Sequence, residues 1–397
     1  MRRLTPRSGL FGRRSSVRNL FAVAFAATFS FALSSPVNAE IKIGAFTSAT
    51  GPASFLGEPQ RLTLEMLVKQ INAAGGVNGQ PIKLIFYDDA SDASASRNFA
   101  VRMVEEDKVA AIVGGSGTGN SMAVIPVVED ANIPFVSFSG GVEIINPVRK
   151  WVFKPPHTDL MACEKIFDDM KAQGLSKAAL IAGQGGFAKS MAKQCTDLAP
   201  KKSITILAQE SYGPRDSDMT PQLNRIKAIP GVEAVINADI GQGPAIVTRN
   251  FRQLGMTQAL YMGHAAATLG YLEAVAKDGE GIRIPAPLLL VADTLEANDP
   301  RKSVLVKYRD DFVAATKRQP DAFGGYAHDG LLLLVDAMKR AKSSDPQKVR
   351  DALEKTDGFV GTVGRIRMSP TDHLGIDLGS FEMLTIKDGR WARAPGK

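Results

Sequence analysis

The sequence predicts an α/β protein made of two doubly wound, parallel-sheet lobes. Two observations carry this expectation. Short, continuously apolar runs recur between amphipathic segments, the pattern of parallel strands covered on both faces by helices. The alternation then pauses at a proline-rich stretch and starts again, over a length that suits about two domains.

"IKIGAF" (Ile41–Phe46) reads as the first strand, and Leu64, Leu67, Val68 and Ile71 mark one face of the helix after it. Gly75-Gly76 ends that helix, because glycine takes the left-handed cap without steric cost. "IKLIFYD" (Ile82–Asp88), "VAAIV" (Val109–Val113) and "IPFVSF" (Ile133–Phe138) are further strands, with helices near Ser94–Asp107 and Asn120–Ala131. At "NPVRKWVFKPPHTD" (Asn146–Asp159), Pro155-Pro156 can continue neither helix nor central strand, and Thr158 or Asp159 can cap the next helix. A second run gives strands at Ala178–Ala182, Ser203–Ala208, Val232–Asn237 and Ala259–Gly263. The proline-broken "RIPAPLLLVAD" (Arg283–Asp293) precedes two more helices, the second with Leu331, Leu334, Val335 and Met338 on one face. Ser380–Arg393 reads as a hairpin turning at Asp388-Gly389. Such an order has the chain crossing between the lobes more than once.

The first 39 residues read as an export leader. Arg2, Arg3, Arg7, Arg13, Arg14 and Arg18 precede an apolar stretch of 14 residues, Leu20–Leu33, the length of a signal-peptide core and too short to span a bilayer. "VNA" (Val37–Ala39) places cleavage after Ala39; a retained anchor is the alternative. Arg13-Arg14 raises twin-arginine export, although "SSVRNL" lacks the usual aromatic residue. No cysteine stands after the cleavage site to take a lipid. The chain holds 48 Lys+Arg and 41 Asp+Glu, and the leader holds six of the arginines and none of the acids. The remaining 358 residues are therefore almost neutral, which removes the basic face that nucleic-acid binding requires. Cys163 and Cys195 fall on the helices flanking the strand around Leu180; an exported protein could bridge them, but spacing alone leaves two thiols equally open.

"GGSGTGNS" (Gly114–Ser121) carries the chemistry. It comes directly after an apolar strand and opens a helix, where glycines let backbone N–H groups approach an anion and the helix dipole favours negative charge. With a lysine at Asn120 it would be a phosphate-binding loop; without that charge, an organic carboxylate suits it better than a nucleotide. A glycine-rich turn that only packs is the plain alternative. Other chemistry lacks its pattern. His157, His264, His328 and His373 fall at no metal-ligand spacing, and no C-x-x-C occurs. Thr118 interrupts any G-x-S-x-G around Ser116. Asp88, Asp89 and Asp92 cluster at a strand end, where caps and turns are commoner than metal or catalysis. No enzyme and no cofactor is expected.

Four segments, "IKIGAFTSATGPASFLGEPQ", "INAAGGVNGQPIKLIFYDDASD", "AAIVGGSGTGNSMAVIPVVEDANIPFVSFSG" and "VRKWVFKPPHTD", together resemble the leucine/isoleucine/valine-binding type of periplasmic solute-binding protein. The likeness runs in order from about Ile41 to the C-terminal hairpin. It implies the type I periplasmic binding fold: two lobes joined by three crossings, closing on a small molecule, with a membrane permease of an ABC importer as partner. The implied division is leader 1–39, first lobe 40–154, second lobe 155–288, first lobe again 289–362 and second lobe again 363–397. A monomer is expected. A sensor for a chemoreceptor is the alternative of different partner, and a P-loop-like enzyme the alternative of different chemistry.

Carried over by position, the resemblance implies that Gly117 and Thr118 after the third strand, and Ser139 with Gly140 after the fourth, grip a ligand carboxylate. Gly141 stands where amino-acid binders often have another hydroxyl. Leu56, Phe187 and Ile240 line an apolar cavity, with His264 as a polar handle. Where those binders place an acid for the ligand ammonium, this chain has Ala265; either Asp239 takes that role or the ligand has no ammonium. The expectation is an apolar carboxylate, such as an aromatic acid or a branched 2-oxo acid, ahead of a hydrophobic amino acid.

Overall fold

The computed structural model describes residues 40–396. The expected leader, its cleavage after Ala39 and its arginine pair lie outside the described residues.

The chain opens as β1 (Ile41–Thr47), α1 (Ser54–Ala73), β2 (Ile82–Asp88), α2 (Ala93–Arg102), β3 (Ala111–Gly114), α3 (Thr118–Ala131), β4 (Phe135–Ser137) and β5 (Val152–Phe153). These five strands form one parallel sheet in the order β2-β1-β3-β4-β5. The caps explain the helix starts. Asp92 accepts the N–H groups of Ser94 and Ala95 at the head of α2, and Asn132 ends α3 in the left-handed conformation that asparagine tolerates. Past α1, Gly75 and Gly76 both have positive φ, as the stop signal required.

The second run gives α4 (Asp159–Ala172), β6 (Lys177–Ala182), α5 (Gly186–Leu198), β7 (Thr205–Ser211), α6 (Thr220–Lys227), β8 (Ala234–Ala238), α7 (Gly243–Gln253), β9 (Ala259–Met262), α8 (Leu269–Val275) and β10 (Arg283–Pro287). Thr158 caps α4, its hydroxyl accepting from Met161 N at 3.1 Å. The chain continues through α9 (Pro300–Thr316), α10 (Ala322–Ala341), α11 (Pro346–Glu354) and the pair β11 (Asp357–Gly361) and β12 (Gly364–Arg367), then ends as the hairpin β13 (Phe381–Lys387) and β14 (Arg390–Arg393). The second sheet is ordered β14-β13-β10-β9-β8-β6-β7; β6 to β10 run parallel, and β13 and β14 add antiparallel.

Buried strands read as the sequence suggests: every residue of β3 and β8 is buried. The expected strand at Ser203–Ala208 differs. Ser203 adopts the left-handed conformation, so β7 starts at Thr205, and as an edge strand it alternates exposed and half-buried residues. The pair β11–β12 and helix α11 stand outside the expected elements, although α11 buries Val349, Ala352 and Leu353 on one face. Helix α10 packs along α1 and α9 joins them, so these late helices cover the first sheet.

Cys163 on α4 and Cys195 on α5 form a disulfide with Cα atoms 5.1 Å apart, both fully buried. Spacing alone leaves that pairing open.

Candidate functional site

Both sheets change winding direction beside their first strand. In the first sheet β2 and β3 lie on opposite sides of β1, and in the second β7 and β8 lie on opposite sides of β6. Loops at the carboxyl ends of such strands diverge and leave a crevice. Here the two crevices meet. A Cβ on Gly186, at the head of α5, would stand 3.2 Å from the backbone nitrogen of Gly119, in the first turn of α3. Two helix N-termini thus converge on one space. Neither has a side-chain cap, and their first-turn N–H groups have no intrahelical acceptor.

The space is a cavity walled by Leu56, Ser116, Gly117, Thr118, Gly140, Phe187, Ile240, His264, Ala265, Phe323 and Tyr326. Among the described residues, no Asp, Glu, Lys or Arg stands on this wall. Seven of the ten positions named from sequence are here: Leu56, Gly117, Thr118, Gly140, Phe187, Ile240 and His264.

Thr118 is 2% exposed, and its Oγ1 is buried without a hydrogen-bond partner. An unsatisfied buried hydroxyl is costly unless something else fills its valence. His264 is in the same condition: its Nδ1 is buried and unpartnered. Burial first, and then the charge of Lys154, lower its pKa to about 3, so the imidazole is neutral. Its ring meets Phe187 edge-on at 5.2 Å and Phe381 edge-on at 5.5 Å, which fixes its plane.

Three named positions fall off the wall. The Ser139 hydroxyl donates to the Gly115 carbonyl at 2.5 Å and lies 2.8 Å from Ser121 Oγ. Its hydrogen is spent on holding the glycine loop, and Ser139 is not among the residues of the cavity wall. Gly141 packs against Thr118: a Cβ there would stand 2.4 Å from Thr118 Cγ2, so a hydroxyl-bearing residue in its place would require Thr118 to move. Asp239 sits behind the wall, its carboxyl packed against Gly183 and Gly243 with Tyr212 beside it. Burial raises its pKa, the neighbouring Ile240 N–H and Tyr212 hydroxyl only partly offsetting this.

The glycine loop divides its labour. Gly114 and Gly115 have positive φ, and a Cβ on either would collide, with the Phe46 carbonyl oxygen and with Ser121 Oγ respectively, each at 2.1 Å. They are there for packing. Asn120, in the position a phosphate-binding lysine would take, donates its Nδ2 to Asp89 Oδ2 at 3.0 Å and to Ser96 Oγ at 2.9 Å. Its amide nitrogen is therefore committed to Asp89 and Ser96. Asp88, Asp89 and Asp92 are spent on turns and caps, and no cluster of metal-ligand type occurs among the described residues.

Ser116, Phe323 and Tyr326 line the cavity although sequence reasoning does not name them. Ser116 is visible in the loop; its hydroxyl donates to Gln60 Oε1 at 2.6 Å and accepts from Ser48 N at 2.9 Å. Phe323 and Tyr326 sit in the first turns of α10, after the Asp321 cap, and pack edge-on at 5.9 Å. The only local signal is two aromatics three apart at a helix start. Reaching the cavity takes the return of α10 onto α1.

Comparison with known proteins agrees with this geometry. The family described as Periplasmic binding protein matches residues 40–384. Leu/Ile/Val-binding protein homolog 3 of Brucella melitensis is 25% identical over 94% of this chain and 98% of its own. The leucine-, isoleucine-, valine-, threonine- and alanine-binding protein of Pseudomonas aeruginosa is 24% identical over 92% of each. Among solved structures, an extracellular ligand-binding receptor of Rhodopseudomonas palustris superposes with a TM-score of 0.83 at 27% identity, over 90% of this chain and all of that one. A leucine-binding protein of Thermotoga maritima shares the fold at 20% identity, with a TM-score of 0.78 over 89% of this chain and 98% of its own. With that family matching residues 40–384 and the cavity lying at the carboxyl ends of the parallel strands of both sheets, the chain belongs to the periplasmic binding protein family and has its type I fold.

Proposed function

We propose that this chain is the extracytoplasmic solute-binding component of an ABC importer and that its solute is a small, largely apolar carboxylate. The lobes, taken as 40–154 with 289–362 and 155–288 with 363–397, close on the solute and present the closed form to a membrane permease. Ligand binding shifts that equilibrium by its preference for one state. Export by the leader, with cleavage after Ala39, belongs to the same reading.

One observation carries it: an orphaned Thr118 hydroxyl at a converging pair of helix N-termini, on a wall that holds no carboxylate. Dipoles and a hydroxyl suit one negative charge. The relatives' names point to aliphatic amino acids. A buried ammonium without a carboxylate partner is unfavourable by several kcal/mol, and Ala265 offers none. Phe187, Phe323, Tyr326 and the His264 ring favour a planar apolar body, which points to aromatic acids first and branched 2-oxo acids second.

A thermal-shift screen followed by calorimetry tests this, since a ligand of the native state raises the melting temperature. Aromatic and 2-oxo acids are expected to stabilise the protein more than leucine, isoleucine or valine. Stabilisation by a zwitterionic amino acid alone, or by Mg-ATP alone, would overturn the reading.

A further inference from the structure

Behind the cavity, at the first crossing between the sheets, lies a pair of charges that the binding site just described leaves unused. Lys154, directly after β5, is completely buried. Its ammonium donates to the backbone carbonyls of Pro156 at 2.6 Å and His157 at 3.3 Å. It forms no direct ion pair among the described residues, and burial lowers its pKa to about 7 against the opposing pull of Asp159.

Asp159 opens α4. Its Oδ1 accepts the N–H groups of Val142 and Leu160, each at 2.9 Å. Its Oδ2 is buried without a partner; the Ser190 hydroxyl lies beside it but outside hydrogen-bond geometry. Burial raises its pKa. The backbone N–H of Asp159 donates to the Gly140 carbonyl at 2.9 Å, which fastens the carboxyl to the loop whose Gly140 is cavity wall. The other titratable groups around the pair are His157, stacked on Phe381 at 4.0 Å, His264 across that same ring, and Lys165 on α4. Both histidines are lowered in pKa by burial, and both feel the charge of Lys154. The Lys154 ammonium lies 3.3 Å from the His157 carbonyl, and the His157 ring lies 6.3 Å from the ring of Tyr326 on the cavity wall, so the charge sits one layer behind that wall.

We propose that Lys154 is the counter-charge for the ligand's anionic group, a specificity-determining residue that acts from behind the cavity wall, and that Asp159, whose backbone holds Gly140, is its internal competitor. The proposal rests on the reading that the ligand is a carboxylate. In surroundings drier than bulk water, a unit charge one layer behind the wall still favours an acid over its neutral analogue. An entering anion stabilises the Lys154 ammonium and destabilises the Asp159 carboxylate. Either response takes up a proton, so acid affinity falls as pH rises across the range where the pair titrates.

The test uses the leaderless protein with phenylacetate, 3-phenylpropanoate and 4-methyl-2-oxopentanoate, each beside its primary amide. Calorimetry in buffers of different ionisation enthalpy gives affinity and protons taken up. In the wild type the acid should bind more tightly than its amide, with net proton uptake. Lys154→Met should lower the acid-to-amide affinity ratio by at least about tenfold, and Asp159→Asn should raise it, because the competitor is gone. A merely structural pair would move acid and amide together and in the same direction in both variants, which would sink the proposal. If Lys154→Met does not fold, an unraised ratio in Asp159→Asn with undiminished proton uptake overturns it equally. Failure of the carboxylate reading looks different: the wild type itself would bind each amide as well as its acid.

Discussion

The Cβ that Gly140 lacks would stand 2.8 Å from Nε2 of His264, across the gap between the two sheets. It would also come within 3.2 Å of the Phe187 ring. A residue from the loop after β4 and a ring from the loop after β9 thus approach so closely that only glycine fits between them. Closure of the cavity depends on that missing methyl group. Gly140→Ala should prop the walls apart and weaken binding by about 1–3 kcal/mol, the usual cost of overpacking. Calorimetry on a folded variant checks this; unchanged affinity would show that the walls yield there.

Thr118 offers the most direct test of the site. Thr118→Val keeps the shape but removes the hydroxyl that has no partner in the protein. If that hydroxyl serves the ligand, affinity drops by about 1–3 kcal/mol while the melting temperature of the free protein holds or rises. Thr118→Ser should retain most of the affinity. The opposite pattern, lower stability with unaltered binding, would place the hydroxyl's role in folding.

Ala265 decides between a plain acid and a zwitterion. Ala265→Asp would put a carboxylate on the wall beside His264, able to pair with an ammonium. The variant should gain affinity for leucine and lose it for aromatic and 2-oxo acids, each by about tenfold or more, since an unpaired buried charge is expensive. Competition between leucine and an aromatic acid, followed by fluorescence or calorimetry, reads this out.

The buried histidines predict a pH profile of stability. His264 is lowered from 6.5 to about 3, and His157 is also well below its ordinary value, in both cases chiefly by burial. At these two positions the unfolded chain binds more protons than the native one between about pH 3 and 6.5. Their share of the stability should be fully present above 6.5 and be lost as pH drops through that window, against the opposite share of Asp321, whose carboxyl burial raises to about 6. Denaturant melts of the wild type and of His264→Gln isolate the histidine share: the stability difference between the two should shift against the wild type as pH falls from 6.5.

The Cys163–Cys195 bridge closes a loop of 32 residues between α4 and α5. Chain-entropy reasoning puts its contribution at about 3–4 kcal/mol. Replacing both cysteines with alanine should lower stability by that order while leaving ligand affinity nearly unchanged, because neither residue touches the cavity. Paired denaturation and binding measurements separate the two effects.

Residue pattern alone determined the layered α/β plan, the terminal hairpin at Asp388-Gly389, and the loop from Gly114 to Ser121 as the head of a helix. Those features are local: period, caps and turn residues act within a few positions of one another. Leu56, Thr118, Phe187, Ile240 and His264 became legible only through the family resemblance, position by position, and all five line the cavity. Tertiary structure decided the rest. Ser139 left the wall because Gly115 and Ser121 claimed its hydroxyl, and Asp239 because Gly183 and Gly243 opened a place behind it. Phe323 and Tyr326 joined because α10 returns to pack along α1, far along the chain from the strands it covers. Which hydroxyl stays free and which ring faces inward are set by neighbours distant in the chain, and no local pattern encodes a distance between two such segments.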